Sequence, residues 1–225
     1  MMQTYFEELM VGAVVAVATL LIAPIVAAQT PVPRPVMPPS LPAVHVVDIM
    51  TGQGAAELEV QWKTMEAKIV ERAPIDAALP GYTTAYDISP HAGETGFDDA
   101  HWPAIEAEDL AARRSGGHVA FIWYRTDLTI PERIGDFETA GTKAVLTVLV
   151  DDYAEVWVDG QMPRQAGYPS PATIQGFNMP NRVTLTDAVR PGDKFEIAVF
   201  GINGPISVAP ANTVWFREAR LEFYR

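Results

Sequence analysis

Cysteine is absent from the 225 residues. That excludes a disulfide framework, thiolate metal ligation and a thiol nucleophile. Positive charge is scarce. Four lysines and twelve arginines are scattered along the chain against 28 acidic residues, for a net charge of −12. A phosphate-binding surface needs clustered Lys and Arg, so nucleic acid is excluded as a partner. Histidine is scarce too: His45, His91, His101 and His118 share no helical or hairpin metal spacing and read as surface or loop residues. No Gly-x-Ser-x-Gly, phosphate loop or dinucleotide fingerprint occurs. These absences imply no metal site, no cofactor and no enzyme. With 48% hydrophobic residues the chain still has enough apolar side chains for a real core.

From Leu9 to Ala28 there is no charged or strongly polar side chain. About twenty residues at roughly 1.5 Å each span a bilayer core of about 30 Å. Two readings stay open. Pro24 followed by Val26-Ala27-Ala28 suits signal-peptide cleavage, whereas the length suits a retained membrane anchor. Glu7 and Glu8 precede the segment without any Lys or Arg, which is unlike a normal basic leader. Either reading places the remainder in the periplasm or another extracytoplasmic space. Residues 29–42 carry six prolines in fourteen positions, a stiff polyproline II spacer of about 40 Å. The expected organisation is therefore 1–28 anchor or signal, 29–42 linker and 43–225 domain.

The domain is dominated by period two. Leu58, Val60 and Trp62 alternate with polar residues, as a half-buried strand does. His118 to Thr126 and Lys143 to Val150 are β-branched or aromatic runs of strand length, the second apolar on both faces as at a sandwich centre. Tyr153 to Val158 runs into Asp159-Gly160, a favoured hairpin turn. Phe195, Ile197 and Val199 alternate after the Pro191-Gly192-Asp193 turn, and Thr213 to Tyr224 closes the chain as another strand. Helix signals are few, with Ile105 to Arg113 as a candidate for a short one. Short strands with Pro, Gly and Asn punctuation predict an all-β antiparallel sandwich.

Three motifs in order, Phe97-Asp98-Asp99-Ala100-His101-Trp102, Trp123-Tyr124-Arg125 with Leu128 to Glu132, and Asp152 to Gly160, resemble the galactose-binding-like jelly-roll module at the front of family 2 glycoside hydrolases. Gly176 to Arg182, Phe200 to Ser207 and Arg217 to Tyr224 resemble more closely the accessory sandwich of gluconolactonase-type propeller proteins. The resemblance covers roughly residues 85–225. It implies a jelly-roll fold. The propeller that carries the lactonase metal ligands and chemistry is missing, so the resemblance does not imply the activity.

Asp151, Asp152 and Glu155 cluster after a buried strand, and paired carboxylates can do acid/base work. The plainer reading is a turn at Asp151-Asp152, with Tyr153 and Glu155 sharing the outer face of the next strand. Asp98-Asp99 reads as a turn leading to Trp102 as a core lid. Trp123, Trp157 and Trp215 could stack on a sugar, although their strand-like setting favours packing. The loop residues Arg164, Tyr168, Asn178, Asn181, Arg182, Asn203 and Asn212 are the candidates for binding a ligand or partner. For Asn203, before Gly204-Pro205, bonding to its own turn is the better reading.

Two functions of different class follow. The sequence favours a non-catalytic subunit that is membrane-bound through residues 9–28 and docks on a larger respiratory, photosynthetic or transport complex. The alternative is a carbohydrate-binding accessory module for a separate lactonase or glycoside hydrolase, an analogy from fold.

Overall fold

Alternating apolar and polar residues form strands where one face can be buried. The computed structural model describes residues 42–72, 85–115, 119–163, 179–204, 206 and 213–225. The apolar segment and all of the spacer before Pro42 lie outside these. In chain order the elements begin with β1 (His45–Asp48), α1 (Gly52–Glu57), β2 (Lys63–Arg72), β3 (Ala85–Ser89), a 3-10 turn (Glu108–Ala111) and β4 (Phe121–Thr129). There follow β5 (Arg133–Ile134), β6 (Phe137–Glu138), β7 (Lys143–Asp151), β8 (Tyr153–Val158), β9 (Asn181–Thr186), β10 (Lys194–Ile202) and β11 (Trp215–Tyr224).

Two antiparallel sheets, in the orders β1-β11-β7-β9 and β3-β2-β4-β10-β8, make an all-β sandwich. The strands β5 and β6 form a separate small hairpin. One core cluster takes Leu146, Val148, Phe216, Leu221 and Phe223 from the first sheet, and Ile122, Tyr124, Val156, Ile197 and Val199 from the second. β7 lies between β11 and β9 and is buried on both faces: Ala144, Leu146, Val148 and Val150 join the core, and Val145 and Thr147 are buried on the opposite face. At Asp159-Gly160 both residues have positive φ, 49° and 79°, and Val158 and Gln161 exchange backbone bonds of 2.8 and 3.0 Å. This is the two-residue hairpin turn the sequence predicts.

Two expectations need correcting, and one element was not foreseen. Leu58 to Trp62 is not a strand; Leu58 and Trp62 are fully buried, yet Glu59 has φ 55° and ladder pairing starts only at Lys63. Alternating burial there comes from the turn that ends α1 and the connection after it, which mimic the period of a strand without a ladder partner. Ile105 to Arg113 contributes only the 3-10 turn at Glu108–Ala111. Finally, α1 is a helix that the sequence hides behind two glycines. Thr51 caps it by accepting the Gly54 N–H at 3.1 Å, and a Cβ at Gly54 would lie 2.0 Å from the Asp48 carbonyl oxygen.

The five-stranded sheet is apolar on both faces. Its outer face carries a second cluster of Ala67, Trp123, Ala198, Phe200 and Ile202, roofed in part by Ala92 and Trp102 from the segment 90–107. Arg125, buried to 5% exposure, pins that segment. Its Nε donates to Asp99 at 2.9 Å, one Nη bonds the Ala92 carbonyl, and the guanidinium lies 5.4 Å from the Phe97 ring. Lys63 reaches the same Asp99 at 2.6 Å, and Glu196 accepts the Gly96 N–H at 2.9 Å. As the sequence implied, Asp98-Asp99 turns the chain into Trp102, whose N–H bonds the Asp99 carbonyl at 2.9 Å.

Removing one partner of a buried charge pair leaves the other uncompensated. Arg125→Met is therefore expected to cost about 3 kcal/mol, read from the urea midpoint, while Lys63→Met costs much less because that side chain is partly exposed. Burial pushes the Asp99 and Glu222 carboxyls up, but hydrogen bonds outweigh it and hold both below their usual values, from Lys63 and Arg125 in the first case and from Tyr224, Arg182 and Arg220 in the second. Depressed folded-state values give stability that is complete above the unfolded values and is lost as pH falls. Thermal melts should drop below about pH 4, and Asp99→Asn with Glu222→Gln should flatten that drop.

Candidate functional site

The register of the five-stranded sheet lays its outward side chains in rows. Lys63 pairs with Arg125, Arg125 with Ala198, and Ala198 with Trp157. The next row is Met65, Trp123, Phe200 and Glu155, and the one after is Ala67, Phe121, Ile202 and Tyr153. Period two thus places one aromatic band across adjoining strands. Trp123 and Phe200 meet with ring centroids 4.8 Å apart, and Phe121 stacks on Phe200 at 5.8 Å.

The 90–107 segment covers the Arg125 end of this face and leaves a cleft of about 270 Å³ beside Trp157. Trp123 and Phe200 form its floor, and Trp157, Pro90 and Gly93 its walls. The Trp123 indole N–H is taken by the Pro90 carbonyl at 3.0 Å. Gly93 lies flat on the Trp157 ring; a Cβ there would come within 2.6 Å of the indole. No larger residue fits without displacing that ring.

Polar groups ring the opening. His91 sits between two carboxylates, its Nε2 3.1 Å from Asp87 Oδ1 and its Nδ1 3.3 Å from Glu94 Oε1. Both contacts favour the charged imidazolium, and the bonds to Glu94 and then Asp87 raise the His91 pKa. The Asp87 carboxyl also accepts the Ile88 N–H at 2.8 Å and pairs with Arg72 at 3.0 Å. Desolvation pushes it up, but these bonds and the neighbouring His91 and Arg72 together prevail and lower it. Glu155 differs. Its contact is the Trp157 indole N–H at 3.4 Å, and burial raises its pKa, only partly offset by that bond.

Of the three tryptophans considered from the sequence, Trp123 and Trp157 meet in this cleft, with Trp123 largely packed into the sheet at 4% exposure. Trp215 lies elsewhere, between Arg113 and Arg217 at 4.5 and 4.7 Å. Asn203 donates to the Thr213 carbonyl at 2.6 Å, serving its own loop. Asn181 is buried on β9, and Arg182 bonds Glu222 at 2.6 Å on the other sheet. None of these three lines the cleft. Arg164, Tyr168, Asn178 and Asn212 lie outside the described residues. Asp152 accepts the Gly204 N–H at 2.9 Å and is raised by burial and by Asp151. Glu155 points instead into the cleft beside Trp157, sharing a face with Tyr153 as the sequence indicates.

Sequence reasoning missed Asp87, His91, Glu94 and Phe200. Reading His91 as a loop residue was right, but its loop is folded onto the sheet. The spacing Asp87-x-x-x-His91-x-x-Glu94 was the available signal. It becomes a site only when the 90–107 segment is placed over Trp123.

No family model and no curated protein matches this sequence. Among solved structures, the chain is similar to a calcium-binding mutant of Bacteroides uniformis beta-glucuronidase 2, with 15% identity over 80% of this chain and 18% of that one and a TM-score of 0.46. It is also similar to a glycosyl hydrolase family 2 member from Bacteroides cellulosilyticus, at 17% identity over 72% of this chain and 20% of that one, with a TM-score of 0.40. The chain spans about a fifth of the length of these two proteins. Glycosyl hydrolase family 2 is the family whose front sandwich module the sequence resembles.

Proposed function

We propose that this sandwich, of the galactose-binding-like jelly-roll kind, binds carbohydrate in the aromatic cleft as an accessory module without chemistry of its own. The observation that supports it is the half-buried Trp157 indole, held against the Gly93 backbone with the Glu155 carboxylate beside it. The C–H face of a pyranose stacks on an aromatic ring, and its hydroxyls donate to carboxylates at the rim. Ligand sites start at about 300 Å³, so a cleft of about 270 Å³ suits one sugar ring and not a chain segment. Glycoside cleavage needs an acid and a second free carboxylate. Here Asp87 and Glu94 are both engaged by His91, which leaves Glu155 alone.

Docking on a membrane complex draws its case from residues 1–42, nearly all outside the described residues, and no feature of the described domain favours it. The same residues place the module outside the cytoplasm in this proposal, tethered or released.

Titrating the protein with neutral mono- and disaccharides should quench or shift tryptophan fluorescence. Trp157→Ala should weaken binding about tenfold while moving Tm little, because the ring lies outside the main core. Gly93→Ala should weaken binding similarly by displacing the same ring. A sugar panel that leaves fluorescence and NMR shifts of Trp157 untouched would overturn the proposal.

A further inference from the structure

The charges around the cleft do not balance. Three carboxylates, Asp87, Glu94 and Glu155, face one histidine. Asp87 is compensated by Arg72 and His91, and Glu94 shares the imidazole with it. Glu155 is about half withdrawn from water and has, among the described residues, no cation within ion-pair distance; its contact is a long bond from an indole N–H at 3.4 Å. The nearest buried cation on this sheet, Arg125, is committed to Asp99 and the Ala92 carbonyl at the covered end of the face. A carboxylate in this setting is desolvated without a counter-ion, a cost that a bound cation offsets. The adjoining aromatic faces of Trp157 and Phe200 attract positive charge through their ring quadrupoles. The whole chain adds to this, with a net charge of −12 drawing cations and repelling anions.

We infer that the cleft selects an amino sugar, with the ammonium group meeting the Glu155 carboxylate against the Trp157 indole. The inference rests on the carbohydrate reading and adds the ligand's charge to it. A uronic acid would bring its own carboxylate next to Glu155 and is excluded by like-charge repulsion. An N-acetylated sugar loses the ammonium and with it the advantage.

The test is a calorimetric titration of the full chain at neutral pH with glucosamine, glucose, N-acetylglucosamine and glucuronate, repeated on Glu155→Gln. Glucosamine is expected to bind about tenfold tighter than glucose, a difference of about 1.4 kcal/mol. The preference should shrink in high salt, and Glu155→Gln should abolish it. Equal affinity for glucose and glucosamine, or tighter binding of glucuronate, overturns this inference and leaves carbohydrate binding standing. Tight binding of N-acetylglucosamine at the glucosamine level overturns it as well. No binding by any of the four sugars removes both.

Discussion

A single guanidinium organises the outer face of this domain. Arg125 stands on the middle strand of the five-stranded sheet, where an alternating pattern would otherwise leave an apolar surface open to water. Burying a charge there is costly unless its donors are satisfied. The bonds to Asp99 and Ala92, together with the ring of Phe97, satisfy it by drawing the 90–107 segment across the sheet. Once Asp99 is fixed, Trp102 drops onto the apolar face and Gly93 is brought onto Trp157. The cleft is what that covering leaves open, so its shape depends on an ion pair at the far end of the roof.

The sheet consequently serves two clusters. Its inner side belongs to the main core, shared with the four-stranded sheet, whereas its outer side supports the roof and the cleft. The β10 strand shows the division residue by residue: Ile197 and Val199 face the core, while Ala198 and Phe200 face the cleft side. The four-stranded sheet carries on its other side an ion network of Arg182, Glu222, Tyr224, Arg220 and Glu218. The two exterior faces therefore differ in character, one aromatic and acidic, the other laced with mutually compensated charges.

Much of the fold was legible because period two survives where a strand has one face to bury, as in β8, and because β7 is a β-branched run of strand length. Leu58 to Trp62 marks the limit: the same alternation arises in the turn and connection after α1, where Glu59 has positive φ and no ladder partner is present. The β2 strand was invisible for the opposite reason. Lys63 to Arg72 is mostly solvated, and its strand geometry comes from pairing with β3 and β4, not from its own hydrophobicity. For the cleft, Glu155 and Trp157 could be placed on one face from spacing alone. His91 and Asp87 could not, since His91 lies on the segment that Arg125 pins and Asp87 on β3, whose place is set by pairing with the solvated β2. The asparagines of the rim loops drew notice as polar residues in loops, but Asn203 is turned to the Thr213 carbonyl.

The close approach of Gly93 to Trp157 has a thermodynamic side. With the backbone laid on one face of the indole, the ring gives up its rotamer freedom when the domain folds. A ligand arriving at the other face finds a wall already in place and has no side chain to order there. Recognition at this surface then resembles docking on a fixed plate: the entropy that a mobile aromatic would surrender on association has been spent earlier, and is drawn from the stability of the sandwich.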